Sequence, residues 1–201
     1  ELGDNISAPA VPALTLRGMA LATGGEDAKQ INQVSVVGTS PQFWDFDPNA
    51  AVTLGAYETA LNERLANALN LKTGDKVSLR IFKPGILPRD APLSSRAEDT
   101  STRALCTIKA VLPDSGLGRF SLTASQAAPY NAFVDLAWIQ EQSGLQDRVD
   151  LALVGEGARE TEIKNALQEA WRPHYVGLNI TEHPGGIVQL ATNRIFLRPA
   201  V

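Results

Sequence analysis

The sequence predicts an α+β fold, a mixed α/β arrangement of β-sheets and short helices. Segments with the polar–apolar alternation of a strand are interspersed with segments that repeat apolar residues at the period of a helix. The chain of 201 residues is 44% hydrophobic and 20% charged. A chain of that size buries roughly 70% of its surface, so it can build a core without disulfides or metals.

The first predicted elements are two short strands with a helical turn between them. Residues 34–38 are a β-branched run that ends at a glycine, which is typical of a strand. Pro41 suits the first position of a helix, and a short helical turn there would bring Phe43 and Trp44 onto apolar surface. Residues 52–57 are predicted as a second strand.

A helix is predicted over residues 58–70. Its apolar stripe recurs every four residues, at Leu61, Leu65 and Leu69. Its other faces carry polar side chains, namely Asn62, Glu63, Arg64 and Asn67. Gly74 can adopt positive φ in the turn that follows, and residues 76–82 alternate polar and apolar as a half-buried strand does.

The middle of the chain is predicted as a long loop followed by a strand. Residues 83–102 are rich in proline, serine and acidic side chains and follow neither period, so an exposed loop is expected. Residues 103–112 alternate as a strand, with Cys106 and Ile108 on one face. Residues 113–118 are predicted as a turn.

The last third begins with an extended segment, residues 130–134. A helix follows, which Asp135 can cap and Gly144 can end. Residues 149–154 are predicted as a strand and residues 158–172 as the most strongly periodic helix of the chain. Two further strands are predicted at residues 176–181 and 187–191, joined by a turn at residues 183–186.

Charge and cysteine content narrow the class of protein. Eighteen Lys and Arg against 22 Asp and Glu give a net charge of -4, which argues against a nucleic-acid partner. The lone Cys106 can form neither an internal disulfide nor a multi-cysteine zinc site. The apolar runs are too short to span a bilayer. Because Glu1 is not an initiator methionine and no signal peptide is visible, we expect a fragment of a longer chain.

One glycine-rich turn suggests a nucleotide site. Gly155 and Gly157 lie between a predicted strand and a predicted helix, and Glu182 falls where a dinucleotide-binding fold places its acidic residue. Glu160 stands in place of the third glycine, and its negative charge would face a pyrophosphate. The alternative function is therefore a small α/β nucleotide-binding enzyme, and the plainer interpretation is a glycine turn that leads into a helix.

The sequence lacks the patterns of a metal site and of a catalytic nucleophile. His174 and His183 have no partner at metal-ligand spacing. Ser115 is not in the Gly-x-Ser-x-Gly context of a nucleophile elbow, and Cys106 is predicted to be a small buried hydrophobe. We therefore expect no enzyme, no catalytic residues, no cofactor and no metal.

Three passages in order resemble the extracytoplasmic core domain of MacB/FtsX-like ABC transporter permeases. Residues 34–44, VSVVGTSPQFW, are similar to the family's V-x-V-x-G-x-x-x-x-F-W. Residues 58–81 contain LNERLANALNLKTGDKVSL, similar to N-x-x-L-A-x-x-L-x-L-x-x-G-D-x-V-x-L. Residues 131–154 contain FVDLAWIQ and are similar to V-F-V-x-L-x-x-L-Q followed by a strand. The resemblance covers residues 31–167.

This resemblance implies a MacB-type periplasmic core domain, with mixed β-sheets flanked by short helices. Residues 1–201 would form one extracytoplasmic permease domain with two subdomains, one of about residues 1–82 with 145–201 and the other of about residues 83–144. Such a domain is held between two transmembrane helices on the periplasmic side of the bacterial inner membrane. It is non-catalytic and transmits ATP-driven motion of the helices to an envelope substrate or partner protein, which is mechanotransmission.

The resemblance also implies partners: a second permease subunit, the cytoplasmic ATPase of the same transporter, and a periplasmic protein or lipoprotein. We expect the partner to contact the exposed loop that contains Leu87, Pro88, Arg89 and Pro92, and the turn at residues 113–118. A free-standing periplasmic interaction domain of the same fold is a third hypothesis. It predicts a cleavable signal and no membrane spans in the flanking sequence.

Overall fold

The computed structural model describes residues 6–23, 28–50, 52–83, 101–122, 127–173 and 178–192. Contacts between Cα atoms divide the chain into two compact units. The described residues between 11 and 154 belong to the first unit, which we call the barrel unit, and the described residues 6–10 and 155–192 belong to the second.

The described residues form nine strands and three α-helices. The strands are β1 Ala10–Ala22, β2 Gln30–Thr39, β3 Glu58–Asn62, β4 Lys76–Phe82, β5 Ser101–Leu112, β6 Asn131–Asp135, β7 Leu151–Val154, β8 Leu178–His183 and β9 Ile187–Thr192. The α-helices are α1 Glu63–Leu69, α2 Leu136–Ser143 and α3 Glu160–Ala170, and short 3₁₀ helices span Pro41–Phe46, Pro48–Ala50 and Gly116–Arg119. These mixed sheets with short helices confirm the predicted α+β class.

Strands β1 to β6 close into a barrel. Around the ring, β2 pairs in parallel with β6, β6 antiparallel with β3, and β3 in parallel with β5. The ring continues antiparallel from β5 to β4 and from β4 to β1, and an antiparallel pairing of β1 with β2 closes it. Strand β7 is a further neighbour of β1 and is not one of the six strands of the ring. Closure leaves these six strands without the long open edge that favours aggregation.

Strand β1 pairs with neighbours on both edges because it is long and bends at Gly18. It pairs with β2 from Ala13 to Leu21 and with β4 from Gly18 to Ala22, and its register to β2 shifts between Gly18 and Ala20. A Cβ atom on Gly18 would lie 2.7 Å from the carbonyl oxygen of Arg80 and 2.8 Å from Cγ2 of Val36. Gly18 therefore allows a close backbone approach at the point where the barrel closes.

The interior of the barrel is filled by the inward faces of its strands. Their buried side chains form one cluster with those of α1 and α2: Leu14, Leu16, Ala20, Val34, Val36, Leu61, Leu65, Ala66, Leu69, Val77, Leu79, Ile81, Ala104, Cys106, Ile108, Ala132, Val134, Trp138 and Ile139. Apolar residues at every second position of β4 and β5 supply much of this cluster, as the polar–apolar alternation of the two segments predicted.

A second cluster is aromatic. Phe43 and Trp44, from the 3₁₀ helix after β2, pack edge-on with ring centroids 5.4 Å apart, and Trp44 packs against Phe133 of β6 at 5.5 Å. Phe120 completes the group at 5.6 Å from Phe43. Edge-to-face contacts of this kind suit the quadrupoles of the rings. The predicted helical turn after Pro41 and the burial of Phe43 and Trp44 are confirmed.

Helices α1 and α2 both begin directly at the end of a strand. Asn62, the last residue of β3, accepts a hydrogen bond from the backbone N–H of Leu65, and Asp135, the last residue of β6, accepts one from Trp138. Each helix ends at a residue in the left-handed conformation, Asn70 or Gly144. The predicted cap and end of α2 are confirmed.

Two predictions in the first half are wrong. Residues 58–62, predicted as the start of a helix, are strand β3, which lies between β5 and β6 and buries Thr59 to Asn62 completely. A spacing of four residues between leucines cannot distinguish a helix from a strand that leads into one, and tertiary pairing decides. The described residues of 52–57, predicted as a strand, form irregular structure and a turn.

The division of the structure by contacts between Cα atoms falls near residues 10 and 155. Subdomain boundaries near residues 82 and 144 stay a prediction. Strands β4 and β5 pair from Phe82 opposite Ser101 to Lys76 opposite Thr107, so the chain on both sides of the intervening segment belongs to one sheet. Of the predicted loop 83–102, residues 84–100 lie outside the described residues, and the last two residues are instead the start of β5, because Ser101 and Thr102 pair with Phe82 and Ile81 of β4.

The second unit contains α3 and an antiparallel hairpin of β8 and β9. Ile180 lies opposite Leu190, and His183 lies opposite Ile187 across a turn in which Gly185 and Gly186 have positive φ. The helix, the two strands and the turn of this region were predicted and are confirmed. Within the described ranges, no helix is long and apolar enough to cross a membrane.

Truncation of Phe133 tests the aromatic cluster. Phe133 is fully buried among Phe43 and Trp44. We expect Phe133→Ala to lower the free energy of unfolding by about 3–5 kcal/mol, because it removes apolar contacts and leaves a cavity. Urea titration followed by circular dichroism measures this, and Val149→Ala, at an exposed position, serves as the matched control with a change below about 0.5 kcal/mol. Equal losses in the two variants would contradict the packing described.

Candidate functional site

Of the two regions predicted to contact a partner, the structure describes one. Leu87, Pro88, Arg89 and Pro92 lie outside the described residues. The turn at residues 113–118 is described. We use the name crest for its exposed residues, Pro113 to Gly116, together with the exposed Arg119 that follows the turn.

The crest stands on a buried base. The 3₁₀ helix Gly116–Arg119 forms the second half of the turn, and its two middle residues, Leu117 and Gly118, are buried. Leu117 belongs to the aromatic cluster described above. A Cβ atom on Gly118 would lie 2.0 Å from the carbonyl oxygen of Pro113, so the turn closes tightly around this glycine.

Asp47 holds the crest from the side. Its carboxylate accepts a hydrogen bond from the backbone N–H of Leu117 at 3.1 Å. Gly116 has a φ of 50°, and a Cβ atom there would lie 2.0 Å from Oδ2 of Asp47. A glycine is therefore needed both for the left-handed backbone and for the approach of the carboxylate.

Two buried asparagines fasten the base of the crest to the barrel. Nδ2 of Asn62 donates to the carbonyl oxygens of Gly118 at 3.1 Å and Pro129 at 2.8 Å, while its Oδ1 accepts from the backbone N–H groups of Leu65 and Asn131 at 3.1 Å each. The side chain thus uses its full hydrogen-bonding capacity.

Asn131 extends this network. Its Nδ2 donates to the carbonyl oxygens of Gly118 at 3.3 Å and Phe120 at 2.8 Å. Both asparagines are completely buried. Oδ1 of Asn131 is buried without a hydrogen-bond partner in the part of the chain that the structure describes. The network is therefore complete at Asn62 and incomplete at Asn131, and its donors tie Gly118, Phe120 and Pro129 to the barrel.

Sequence reasoning missed this network and expected Asn62 on an exposed helix face. The helical interpretation of residues 58–62 was the cause, since it moved Asn62 off the end of a strand. A usable signal was present. Asn62 and Asp135 both follow an apolar run and precede a helix, where an Asn or Asp is typical of an N-cap.

The exposed side chains of the crest carry charges that interact weakly with one another. Arg119 lies 3.9 Å from Asp114, with both side chains about half exposed at 49% and 45%. The backbone N–H of Asp114 donates to Glu63 at 3.4 Å, which is a long hydrogen bond. Such exposed pairs contribute little stability, so both charges are accessible to a binding partner.

The chain enters and leaves the barrel unit at neighbouring positions, which we call the seam. Asp150, before β7, accepts hydrogen bonds from both the backbone N–H of Thr15, at 2.8 Å, and its hydroxyl. After β7, the backbone N–H of Gly155 donates to the carbonyl oxygen of Pro9 at 3.2 Å. Strand β7 therefore runs antiparallel to β1, and residues 9 and 155 lie side by side.

The second unit has a hydrogen-bonding arrangement of the same type. Glu162, in the first turn of α3, accepts from the backbone N–H of Ser7 and, at 3.1 Å, from its hydroxyl. These two hydrogen bonds lower the pKa of Glu162, with the backbone N–H as the larger cause.

The geometry of the Gly155–Gly157 turn differs from a dinucleotide-binding unit. In that unit the strand after the helix returns to pair in the same parallel sheet. Here β8 pairs with β9 in a separate two-stranded sheet. The backbone N–H of Gly155, which would face a phosphate, already donates to Pro9, and Glu160 and Glu162 occupy the first turn of α3.

The groups considered for metal or nucleophilic chemistry are placed as follows. Cys106 is fully buried inside the barrel, and burial raises the pKa of its thiol to about 12, so it remains protonated. His183 contacts Oε1 of Gln189 at 2.8 Å across the β8–β9 hairpin, and His174 lies outside the described residues. In the parts of the chain that the structure describes, no group of three or more His, Cys, Asp or Glu could hold a metal ion.

Among solved structures, the chain is similar to the crystal structure of the periplasmic region of MacB from Actinobacillus actinomycetemcomitans, with a TM-score of 0.46 and 12% sequence identity. The match covers 81% of this chain, and this chain spans just under two thirds, 66%, of the other. No family model matches the chain, and no curated protein matches it.

Removal of the Asn62 side chain tests the network beneath the crest. In Asn62→Ala the groups that it satisfies, among them the carbonyl oxygens of Gly118 and Pro129, lose a partner inside the protein. We expect a loss of about 3 kcal/mol in the free energy of unfolding, since each buried unsatisfied group costs about 1–3 kcal/mol and such costs are not additive. Urea denaturation measures it.

The matched control is Asn67→Ala, at an exposed position of the adjacent helix α1. Its free energy of unfolding should change by less than about 0.5 kcal/mol. If Asn62→Ala were as mild as this control, the network would not stabilise the barrel.

The pKa of Glu162 predicts a pH dependence for the second unit. Because folding lowers this pKa, the hydrogen bonds to Ser7 stabilise the fold above the ordinary glutamate pKa and are lost as the pH falls through the lowered value. We expect the amide of Ser7 to lose protection against hydrogen exchange, relative to the intrinsic exchange rate at each pH, as the pH falls below the ordinary glutamate pKa of about 4.3. NMR measures both the carboxyl titration and the exchange. Glu162→Gln should remove the acid dependence at Ser7, and an unchanged profile in that variant would contradict it.

Proposed function

We propose that this chain is an extracytoplasmic domain of an ABC transporter permease. In this proposal it lies on the periplasmic side of the bacterial inner membrane, between two transmembrane helices of its parent protein. It carries out no catalysis and couples ATP-driven movement of those helices to an envelope substrate or partner protein.

The observation that carries the proposal is the seam. Residues 9 and 155 are joined by a hydrogen bond, so the chain enters and leaves the barrel unit through two adjacent connections, both of which lead into the second unit. Adjacent entry and exit points are typical of a domain inserted into a longer chain. In the proposal that chain continues beyond the second unit into the two transmembrane helices.

The sequence resemblance supports the proposal from a second direction. Each of its three passages corresponds to a successive piece of the barrel unit: β2 with the following 3₁₀ helix, then β3, α1 and β4, and finally β6, α2 and β7. The passages thus form one structural body rather than scattered matches.

The proposal assigns partners to separate parts of the protein. The cytoplasmic ATPase and a second permease subunit would act through the membrane helices of the parent. A periplasmic protein or lipoprotein would contact the crest and the loop that contains Leu87, Pro88, Arg89 and Pro92. A contact that transmits force needs a firm attachment, and the hydrogen bonds from Asn62 and Asn131 to the carbonyl oxygen of Gly118 attach the crest to the barrel.

The parent gene gives the first test. We expect an apolar span of about 20 residues on each side of this chain, because that length crosses the hydrocarbon core of a bilayer as a helix. A cleavable signal without spans would instead support the free-standing periplasmic domain. Absence of any span on both sides would end the permease proposal.

The second test locates the crest in the cell. We expect Ser115→Cys in the parent protein to react with a membrane-impermeant maleimide in intact spheroplasts, because Ser115 is exposed. The unsubstituted parent is the control, since Cys106 is buried and its thiol stays protonated. Labelling of Ser115→Cys that appears only after lysis would place the domain on the cytoplasmic side and contradict the proposal.

A further inference from the structure

Basic side chains gather on the outer face of the barrel formed by β1, β4 and β5, which we call the basic face. They come from three adjacent strands: Arg17 from β1, Lys76 and Arg80 from β4, and Arg103 and Lys109 from β5. Their positions alternate with the buried residues of the same strands, so they point away from the core. This concentration contrasts with the net charge of -4 of the whole chain.

Strand register brings the guanidinium groups together. Arg80 and Arg103 are directly opposite each other in the pairing of β4 with β5. Met19 is opposite Arg80 on the other side, and Arg17 is two residues before Met19 on the same face of β1. Like charges directly opposite each other destabilise a sheet, so this arrangement is unfavourable for the barrel itself.

Acidic side chains lie at two places beside this face: Asp150 accepts hydrogen bonds from Thr15, two residues before Arg17 on the same face of β1, and Glu58 lies beside Lys109. Glu58 pairs with Lys109 at 2.9 Å, which lowers the pKa of Glu58. Arg80 donates from Nε to the hydroxyl of Ser101, which is neutral. In the described ranges of the chain, no carboxylate forms a salt bridge with Arg17, Arg80 or Arg103, so their positive charge is available to an anionic partner.

Two leucines lie between the arginines Arg80 and Arg103 on one side and Lys76 on the other. Leu105 of β5 is 48% exposed. It is opposite Ser78, and Leu21 of β1 is opposite Ser78 from the other side, so one row across the sheet reads Leu21, Ser78, Leu105. The basic face therefore combines guanidinium groups, which bind carboxylates in a planar fork, with one exposed leucine, Leu105.

We propose that the basic face is a docking surface for an acidic polypeptide segment of a partner protein, in which carboxylates contact Arg17, Arg80 and Arg103 and an apolar side chain contacts Leu105. Charge complementarity is the argument for this occupant. Leu105 lies in the middle of a sheet rather than on a protruding tip, so the face suits a polypeptide better than a bilayer. The acidic balance of the whole chain disfavours nucleic acid. The proposal stands on the barrel alone and is independent of the permease proposal.

The test uses the purified chain and a fluorescein-labelled acidic dodecapeptide with ten glutamates and two leucines. Fluorescence anisotropy at about 50 mM salt, where surface charges are weakly screened, gives the dissociation constant. We expect Arg103→Glu to weaken binding about tenfold, because it replaces an attraction with a repulsion. The matched control is Arg148→Glu, an exposed arginine outside strands β1, β4 and β5, which changes the net charge equally and should weaken binding less than about twofold.

A second pair of measurements separates the apolar contact from the charges. Leu105→Ser should weaken binding about threefold without changing its salt dependence, because it removes apolar contact and no charge. Lys76→Glu gives a second charge reversal on the same face and decides the question if Arg103→Glu fails to fold, as judged by circular dichroism.

Three results would overturn the proposal. The first is equal weakening by Arg148→Glu and the charge reversals on the basic face. The second is binding of a lysine counterpart of the peptide as tight as that of the acidic one. The third is tighter binding to phosphatidylglycerol vesicles or to a 20-base-pair DNA duplex than to the acidic peptide, which would assign the face to a membrane or to nucleic acid.

Discussion

The barrel depends on the pairing of one strand, β1, along both of its edges. Hydrogen bonds to β2 on one side and to β4 on the other turn an open sheet into a ring. The ring then has an inside, which the alternating apolar residues of β4 and β5 fill, and an outside on which charges can gather. The double pairing is possible only where the backbones approach closely, and Gly18 permits that approach because a side chain there would overlap Arg80 and Val36. Both the core and the basic face follow from this closure.

Two pieces of the barrel use the same construction: a buried strand, a capping residue at its end, a short helix and a left-handed residue that ends the helix. In the first the cap is Asn62 and in the second Asp135. The two differ in what else the cap does. Asp135 serves its helix, whereas Asn62 also holds Gly118 and Asn131. Asn62 is thus both the N-cap of α1 and the residue that attaches the crest. Both roles together need an amide, which has donors and acceptors, because a carboxylate could only accept.

Local signals predicted the parts of the fold that local energetics decide. The helix from Asp135 to Gly144 is an example, because its cap, its apolar stripe and its terminal glycine all lie within ten positions of one another. Strand β3 was mistaken for helix because its identity comes from pairing with β5 and β6, which are distant in sequence. The same holds for the site. The turn at residues 113–118 was recognisable from its glycines, but the contacts of Asp47 and Asn62 with it join residues far apart in the chain, and no short pattern contains them.

The antiparallel course of β7 beside β1 determines how the barrel unit responds to pulling. Because residues 9 and 155 leave from the same end of this strand pair, tension that separates the two connections loads its hydrogen bonds one after another, as in opening a zipper, and not all together in shear. A pair opened in sequence yields at a lower force than the same pair in shear. Such tension acts first on the pairing of β7 with β1, and β7 is not one of the six strands that close the ring.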